Sequence, residues 1–240
     1  MRSYVRRYRA LISANAMVKR VERSEELLDW ICAHPSTVII FSDKKMFTVD
    51  GHRNRQNDRY VARCPQDVKP MWRTKKPASA MCLGVVGSDG QKMPLHWFKK
   101  KPGRRGVDQA HYIEVMETVV LPWIKETYGD RDVAWVFQQD GAPCHTGRLT
   151  QEFCEEELQD FWRKDEWPPS SPDLNPLDYA FWSHLVKRMG TLPYSSVDVM
   201  KTAANQAWDA LDKEYLERMC DDFQPRLTRV IAAEGGPIEF

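Results

Sequence analysis

Two apolar runs, "STVIIFSD" (residues 36–43) and "DVAWVFQQD" (132–140), constrain this chain more than any other feature. Each is β-branched and aromatic with no polar alternation, the pattern of a strand covered on both faces, and each ends on an acid, Asp43 and Asp140. Strands of that kind need helices above and below, so the expected class is α/β. At 240 residues and 42% hydrophobic content, the chain is long enough for one large domain with its own core.

The segments between fill in the pattern. "RSEELLDWICAHP" predicts a short helix capped by Ser24 and closed by Pro35, preceded by a basic arm or linker helix with six Lys+Arg and no acid in its first 20 residues. This divides the chain into an arm over 1–35 and a main domain over 36–240. "KMFTVDG" alternates and closes on a turn, which predicts a hairpin directly after Asp43. Residues 52–76 carry eight Lys+Arg against two acids with no period, which predicts a basic excursion from the sheet. "SAMCLGVVGSDG" and "QKMPLHWFKK" flank Ser88-Asp89-Gly90 as a second hairpin. Residues 106–129 read as a helix kinked by Pro122, "TGRLTQEFCEEEL" as a helix, and "LQDFW" as a short strand. After a proline-rich loop come helices at about 176–189, 196–209 and 212–223.

Charge is divided unevenly. Residues 1–110 hold 23 Lys+Arg against 10 Asp+Glu, and residues 111–240 hold 12 against 24, although the net charge is only +1. A basic half beside an acidic half suits a surface that meets phosphates next to a site that gathers carboxylates. The cationic run "KKKPGRRG" (99–106), with Lys99, Lys100, Lys101, Arg104 and Arg105, is a candidate DNA-backbone contact. Six cysteines show no CxxC pair and read as reduced thiols. No apolar run approaches the roughly 20 residues of a membrane-spanning helix, and no membrane partner is expected.

In a mixed sheet, ligands collect beyond the carboxyl ends of strands, so Asp43 and Asp140 would face one another if their strands are neighbours. A third acid comes from "WPPSSPDLNPLDYAFW" (167–182). Asn175 as N-cap and Pro176 at the first helical position place Asp178 in the first turn, where the helix dipole alone would favour it. Asp173, inside the loop, competes for the same role, and spacing does not separate the two. Three carboxylates without a neutralising Lys or Arg repel one another, and a hard divalent cation relieves that repulsion.

In that order, "FSDKKMFTVDG", "VFQQDGAPCHTG" and "WPPSSPDLNPLDYAFW" resemble the three catalytic blocks of Tc/mariner DNA transposases. The 37 residues between Asp140 and Asp178, and a final Asp rather than Glu, resemble a mariner-like lineage. The resemblance implies an RNase-H-like mixed sheet flanked by helices, with a basic insertion after the first hairpin. It implies that Asp43, Asp140 and Asp178 are catalytic and hold two Mg²⁺ or Mn²⁺ ions; His145 matches the second block and stands either near a substrate phosphate or in a helix-capping or packing role. It also implies double-stranded DNA partners (transposon ends and target), a homodimer and a nuclear location.

Lys44 stands where many relatives have Glu, and Gly141 where Asn is usual. Paired helix-turn-helix units precede the catalytic domain in the family, whereas 42 residues precede Asp43 here, too few for two such units. Two further readings therefore stay open: a relic of a transposase adopted as a DNA- or protein-binding module, and an RNase-H-like nuclease for RNA–DNA hybrids.

Overall fold

The computed structural model describes residues 11–50, 61–68, 74–100, 106–129 and 133–238. Most of the basic excursion, the first ten residues of the arm, and Lys101, Arg104 and Arg105 lie outside the described residues.

A four-stranded mixed sheet has the order β3-β2-β1-β4, with β1 Val38–Thr48, β2 Ser79–Gly87, β3 His96–Trp97 and β4 Trp135–Gln138. β1 is antiparallel to β2 and parallel to β4. Alternate residues of β1 serve two cores. Ile39, Phe41 and Phe47 pack with Trp182, Trp208 and Phe223 on one face, while Val38 and Ile40 pack with Tyr112, Met116 and Phe161 on the other. This is why the runs containing β1 and β4 are apolar without alternation.

β1 does not stop at Asp43, as the sequence suggested. It continues through Lys44–Thr48, where Asp43 pairs with Gly84 and Thr48 with Ser79 on β2. The hairpin partner of β1 is therefore β2, across the basic excursion, and "KMFT" belongs to β1 itself. The polar residues after Asp43 face a sheet edge that is only partly covered, so alternation reappears there without a turn. "LQDFW" contributes one parallel bridge, Phe161 to Phe137, with Phe137 N–H donating to Asp160 O (3.0 Å) and Trp162 N–H to Phe137 O (3.0 Å).

Nine α-helices complete the described residues: α1 Ala14–Ala33, α2 Gln109–Val115, α3 Leu121–Tyr128, α4 Pro143–Thr146, α5 Arg148–Glu157, α6 Trp182–Met189, α7 Val197–Asp209, α8 Lys213–Asp221 and α9 Phe223–Ala232. α1 starts at an N-cap supplied by Ser13 rather than Ser24, which lies buried in mid-helix between Arg20 and Leu27. Those three residues recur at i, i+4 and i+7, a stripe that faces inward, and α1 packs against α9. α9 was not among the expected helices; Pro225 stands in its first turn, where the missing N–H costs nothing.

Two π-helical turns interrupt the helices, Met116–Val120 before α3 and Leu177–Phe181 before α6. The first lies just ahead of Pro122, which has no N–H for the carbonyl of Thr118, and widening the turn relieves the clash with its ring. No helix among the described residues is long and apolar enough to cross a membrane, and of the six free cysteines Cys82, Cys144, Cys154 and Cys220 are buried.

Candidate active site

Asp43 sits within β1, 7% exposed, on the face that carries Phe41 and Phe47. Trp182, in the first turn of α6, donates its Nε1–H to Asp43 Oδ2 at 2.6 Å. Gly84, opposite Asp43, makes room for this indole: a Cβ there would meet Trp182 Cη2 at 2.7 Å and Leu177 Cδ2 at 3.0 Å. Gly84→Ala is therefore expected to cost about 1–3 kcal/mol by overpacking, read as a lowered chemical-denaturation midpoint. A variant as stable as the parent would show that the indole has slack.

Asp140 follows β4. β1 and β4 run parallel with Phe41 beside Gln138, so Asp43 and Asp140 lie two residues beyond the same rung. Side chains of Ser42, Gln138 and Asn175 lock this edge: Ser42 Oγ donates to Gln138 O (2.7 Å) and Asn175 Nδ2 donates to Ser42 O (3.0 Å). The same Asn175 caps the next helix, its Oδ1 accepting from Leu177 N–H at 3.0 Å. One asparagine thus fixes the turn carrying Asp178 against the strand carrying Asp43, which explains the stiff "SPDLNP" segment.

Asp173 is not a member of this group. Its carboxylate is held by Arg20 of α1 through Nη1 (3.1 Å) and Nη2 (2.8 Å), and its Oδ2 also accepts from Ile238 N–H (3.2 Å). Arg20, fully buried, further donates to Ser171 Oγ (2.5 Å), Ser170 O (3.0 Å) and Gly235 O (2.9 Å). One guanidinium therefore ties α1, the proline loop and the C-terminal tail together. A single Arg among the basic residues of the arm gave no local signal of this role.

The three remaining acids feel one another. Burial, then the charges of Asp43 and Asp140, hold the Asp178 carboxyl up at about 7. Burial chiefly, and Asp140, raise Asp43 as well, against the bond from Trp182. Asp140 goes the other way: burial would raise it, but the hydrogen bond from His145 and the charge of Lys44 outweigh burial and hold it well below the usual carboxylate range. The sequence reading expected no neutralising cation. Lys44 Nζ, however, lies 4.0 Å from Asp140 Oδ1, and Lys45 also favours the charged form of Asp178.

His145, expected near a substrate phosphate, is 1% exposed in α4. Its Nδ1 donates to Asp140 Oδ1 at 2.5 Å, and its Nε2 accepts from the ammonium of Lys44. An ammonium has no acceptor, so the Nδ1–H tautomer follows. Lys99 and Lys100 are exposed just past β3. A cleft of about 300 Å³ opens beside the acids, lined by Asp140, Ala142, Trp167, Ser171, Asn175 and Asp178 among others.

As they stand, no three His, Cys, Asp or Glu side chains among the described residues converge as metal ligands. Asp43 Oδ2 is turned to Trp182 and Asp140 Oδ1 to His145. The donor chemistry nevertheless fits a hard divalent cation: three carboxylates from three segments, two of them raised by burial and by the charge of a neighbouring acid, with Asp140 and Asp178 lining one open cleft.

The chain resembles known proteins in sequence and in fold. Over 133 residues the chain is 30% identical to the Tc1 transposase of Caenorhabditis elegans, covering 54% of the chain and 45% of that protein. Over 236 residues it is 27% identical to the Tcb1 transposase of Caenorhabditis briggsae, covering 96% and 80%. The chain thus spans about half the length of the first of these and most of the second. The crystal structure of the catalytic domain of Mos1 mariner transposase superposes with a TM-score of 0.74 at 19% identity, over 97% of this chain and all of that one. No family model matches the sequence. The chain is thus similar in sequence to Tc1-type transposases and has the RNase-H-like fold of the Mos1 mariner transposase catalytic domain.

Proposed function

We propose that this chain is a metal-dependent DNA-cleaving and strand-joining domain whose working residues are Asp43, Asp140 and Asp178. The observation that carries the reading is the placement of three acids, from β1, the end of β4 and the turn before α6, at one edge of the sheet, with Asp140 and Asp178 lining one cleft. Sequence likeness to transposases supports it, as do Mos1 structures solved with Mg and Mn and with transposon-end DNA.

Asp43, Asp140 and Asp178 would hold Mg²⁺ or Mn²⁺, two ions in this proposal, which when bound activate an attacking oxygen and stabilise the leaving one in an in-line displacement at phosphorus. The protein's own part is positional. Trp182 keeps one oxygen of Asp43 fixed, Asn175 keeps the Asp178 turn against β1, and His145 keeps Asp140 ionised. The chain offers no covalent nucleophile in this reading: water attacks first, then the freed 3′-hydroxyl, in the same geometry. Transposon ends and target DNA are the proposed partners, with Lys99 and Lys100 beside the backbone, a homodimer to handle two ends and the nucleus as location.

The purified chain should nick supercoiled plasmid in Mn²⁺, and Asp140→Ala or EDTA should abolish the nicking. The engagement of Asp43 and Asp140 with other side chains favours the competing reading, a binding module that has lost chemistry. Folded protein that binds DNA but never nicks it would establish that reading instead.

A further inference from the structure

Lys44 and Asp43 are neighbours on β1, and strand alternation sends their side chains to opposite faces. Asp43 meets Trp182, whereas Lys44 reaches into the other core, where its ammonium stands 5.5 Å over the ring of Tyr112. The Lys44 side chain is only 11% exposed. Tyr112 also packs on the ring of His145, with centroids 4.3 Å apart. The lysine is therefore confined: its ammonium donates to His145 Nε2 and stands 4.0 Å from Asp140 Oδ1.

Every partner of the Asp140 carboxylate among the described residues falls on that one oxygen. Ala142 N–H donates to it at 3.0 Å and His145 Nδ1 at 2.5 Å, with the charge of Lys44 behind them. A buried cation so placed has two opposed effects. It turns the carboxylate into one orientation, leaving Oδ2 for the cleft, and it cancels part of the negative potential that would attract a divalent ion.

Resting on the metal-dependent reading above, we infer that Lys44 is a built-in counter-ion of Asp140 that weakens divalent-metal binding to the free protein. Two like charges of one and two units, a few ångströms apart and poorly screened by solvent, repel enough to lower affinity on the order of tenfold. The lysine stem runs along a strand and is packed by Tyr112, so it cannot swing clear as a surface lysine would. The chain thus trades resting metal affinity for a pre-oriented, charge-balanced Asp140.

The test is Mn²⁺ binding to the DNA-free protein, measured by the loss of the free-ion electron paramagnetic resonance signal. It is run on the parent, Lys44→Met, Lys44→Arg and Asp140→Asn, each checked for folding by thermal melting. Lys44→Met should bind Mn²⁺ about tenfold more tightly than the parent, Lys44→Arg about as the parent, and Asp140→Asn more weakly. Should Lys44→Met not fold, Lys44→Gln takes its place with the same expectation. Equal or weaker binding by the neutral variants, with binding by the parent still dependent on Asp140, overturns the counter-ion role and leaves the metal site intact. No Mn²⁺ bound by the parent or by the neutral variants overturns this inference together with the metal-dependent reading.

Discussion

Asp178→Asn should abolish Mn²⁺-dependent nicking and yet melt at a higher temperature than the parent in metal-free buffer at pH 8. Loss of several kcal/mol of transition-state stabilisation corresponds to a rate at least about 10³-fold lower. The gain in stability follows from the raised carboxyl. Asp178 titrates at about 7 in the fold, because it is buried and faces Asp43 and Asp140, against about 3.9 in an unfolded chain. The folded value is the higher, so the fold gains from protonated Asp178. That gain is complete below pH 4 and is lost as pH rises through about 7. Asn carries no charge at any pH. Discounted for partial exposure, the difference at pH 8 is about 2 kcal/mol in favour of the variant and should vanish near pH 4. Added Mn²⁺ should stabilise the parent but not the variant, since a ligand stabilises only the fold that binds it. A variant that is less stable than the parent at pH 8, or that nicks at the parental rate, would remove Asp178 from the site.

Arg20→Met is expected to be the most destabilising single change in the N-terminal helix, although it lies far in sequence from every acid discussed. It strands the buried Asp173 carboxylate and frees the carbonyls of Ser170 and Gly235. Breaking one side of a buried ion pair costs about 3–5 kcal/mol, which for a chain of this size lowers the melting temperature by roughly 10 °C. The double variant Arg20→Met/Asp173→Leu should recover part of that loss, because no charge is then left unpaired. Equal melting of Arg20→Met and parent, followed by differential scanning calorimetry, would show that the proline loop does not depend on α1. Since the same loop leads into Asn175 and Asp178, the single variant should also lose nicking at temperatures where it remains folded.

The Asp173 and Asp178 pair shows where sequence reading stops. Both acids stand in one proline-rich stretch and both suit local backbone bonds, so spacing does not separate them and only the family resemblance points to Asp178. The difference lies 153 residues away from Asp173, in Arg20. Similarly, the apolar run before Asp43 predicted a strand and placed the acid at its end, because local alternation cannot distinguish a strand crossing to a less covered edge from a turn. Pairing with β2, beyond the basic excursion, decided that point.

What the sequence determined by itself is what short-range chemistry determines: two strands buried on both faces, an Asn-Pro helix start that sets Asp178 in its first turn, and three acid-bearing blocks that resemble transposases. Hydrophobic period, caps and turn residues act over a few positions, so they are written locally. What only the tertiary structure decided is which charges meet. Lys44 beside His145, Trp182 on Asp43 and Arg20 on Asp173 span 101, 139 and 153 residues of chain. These contacts exist because parallel pairing of β1 with β4 and the docking of α1 bring distant segments into a low-dielectric interior, where an unpaired charge costs far more than it does in solvent.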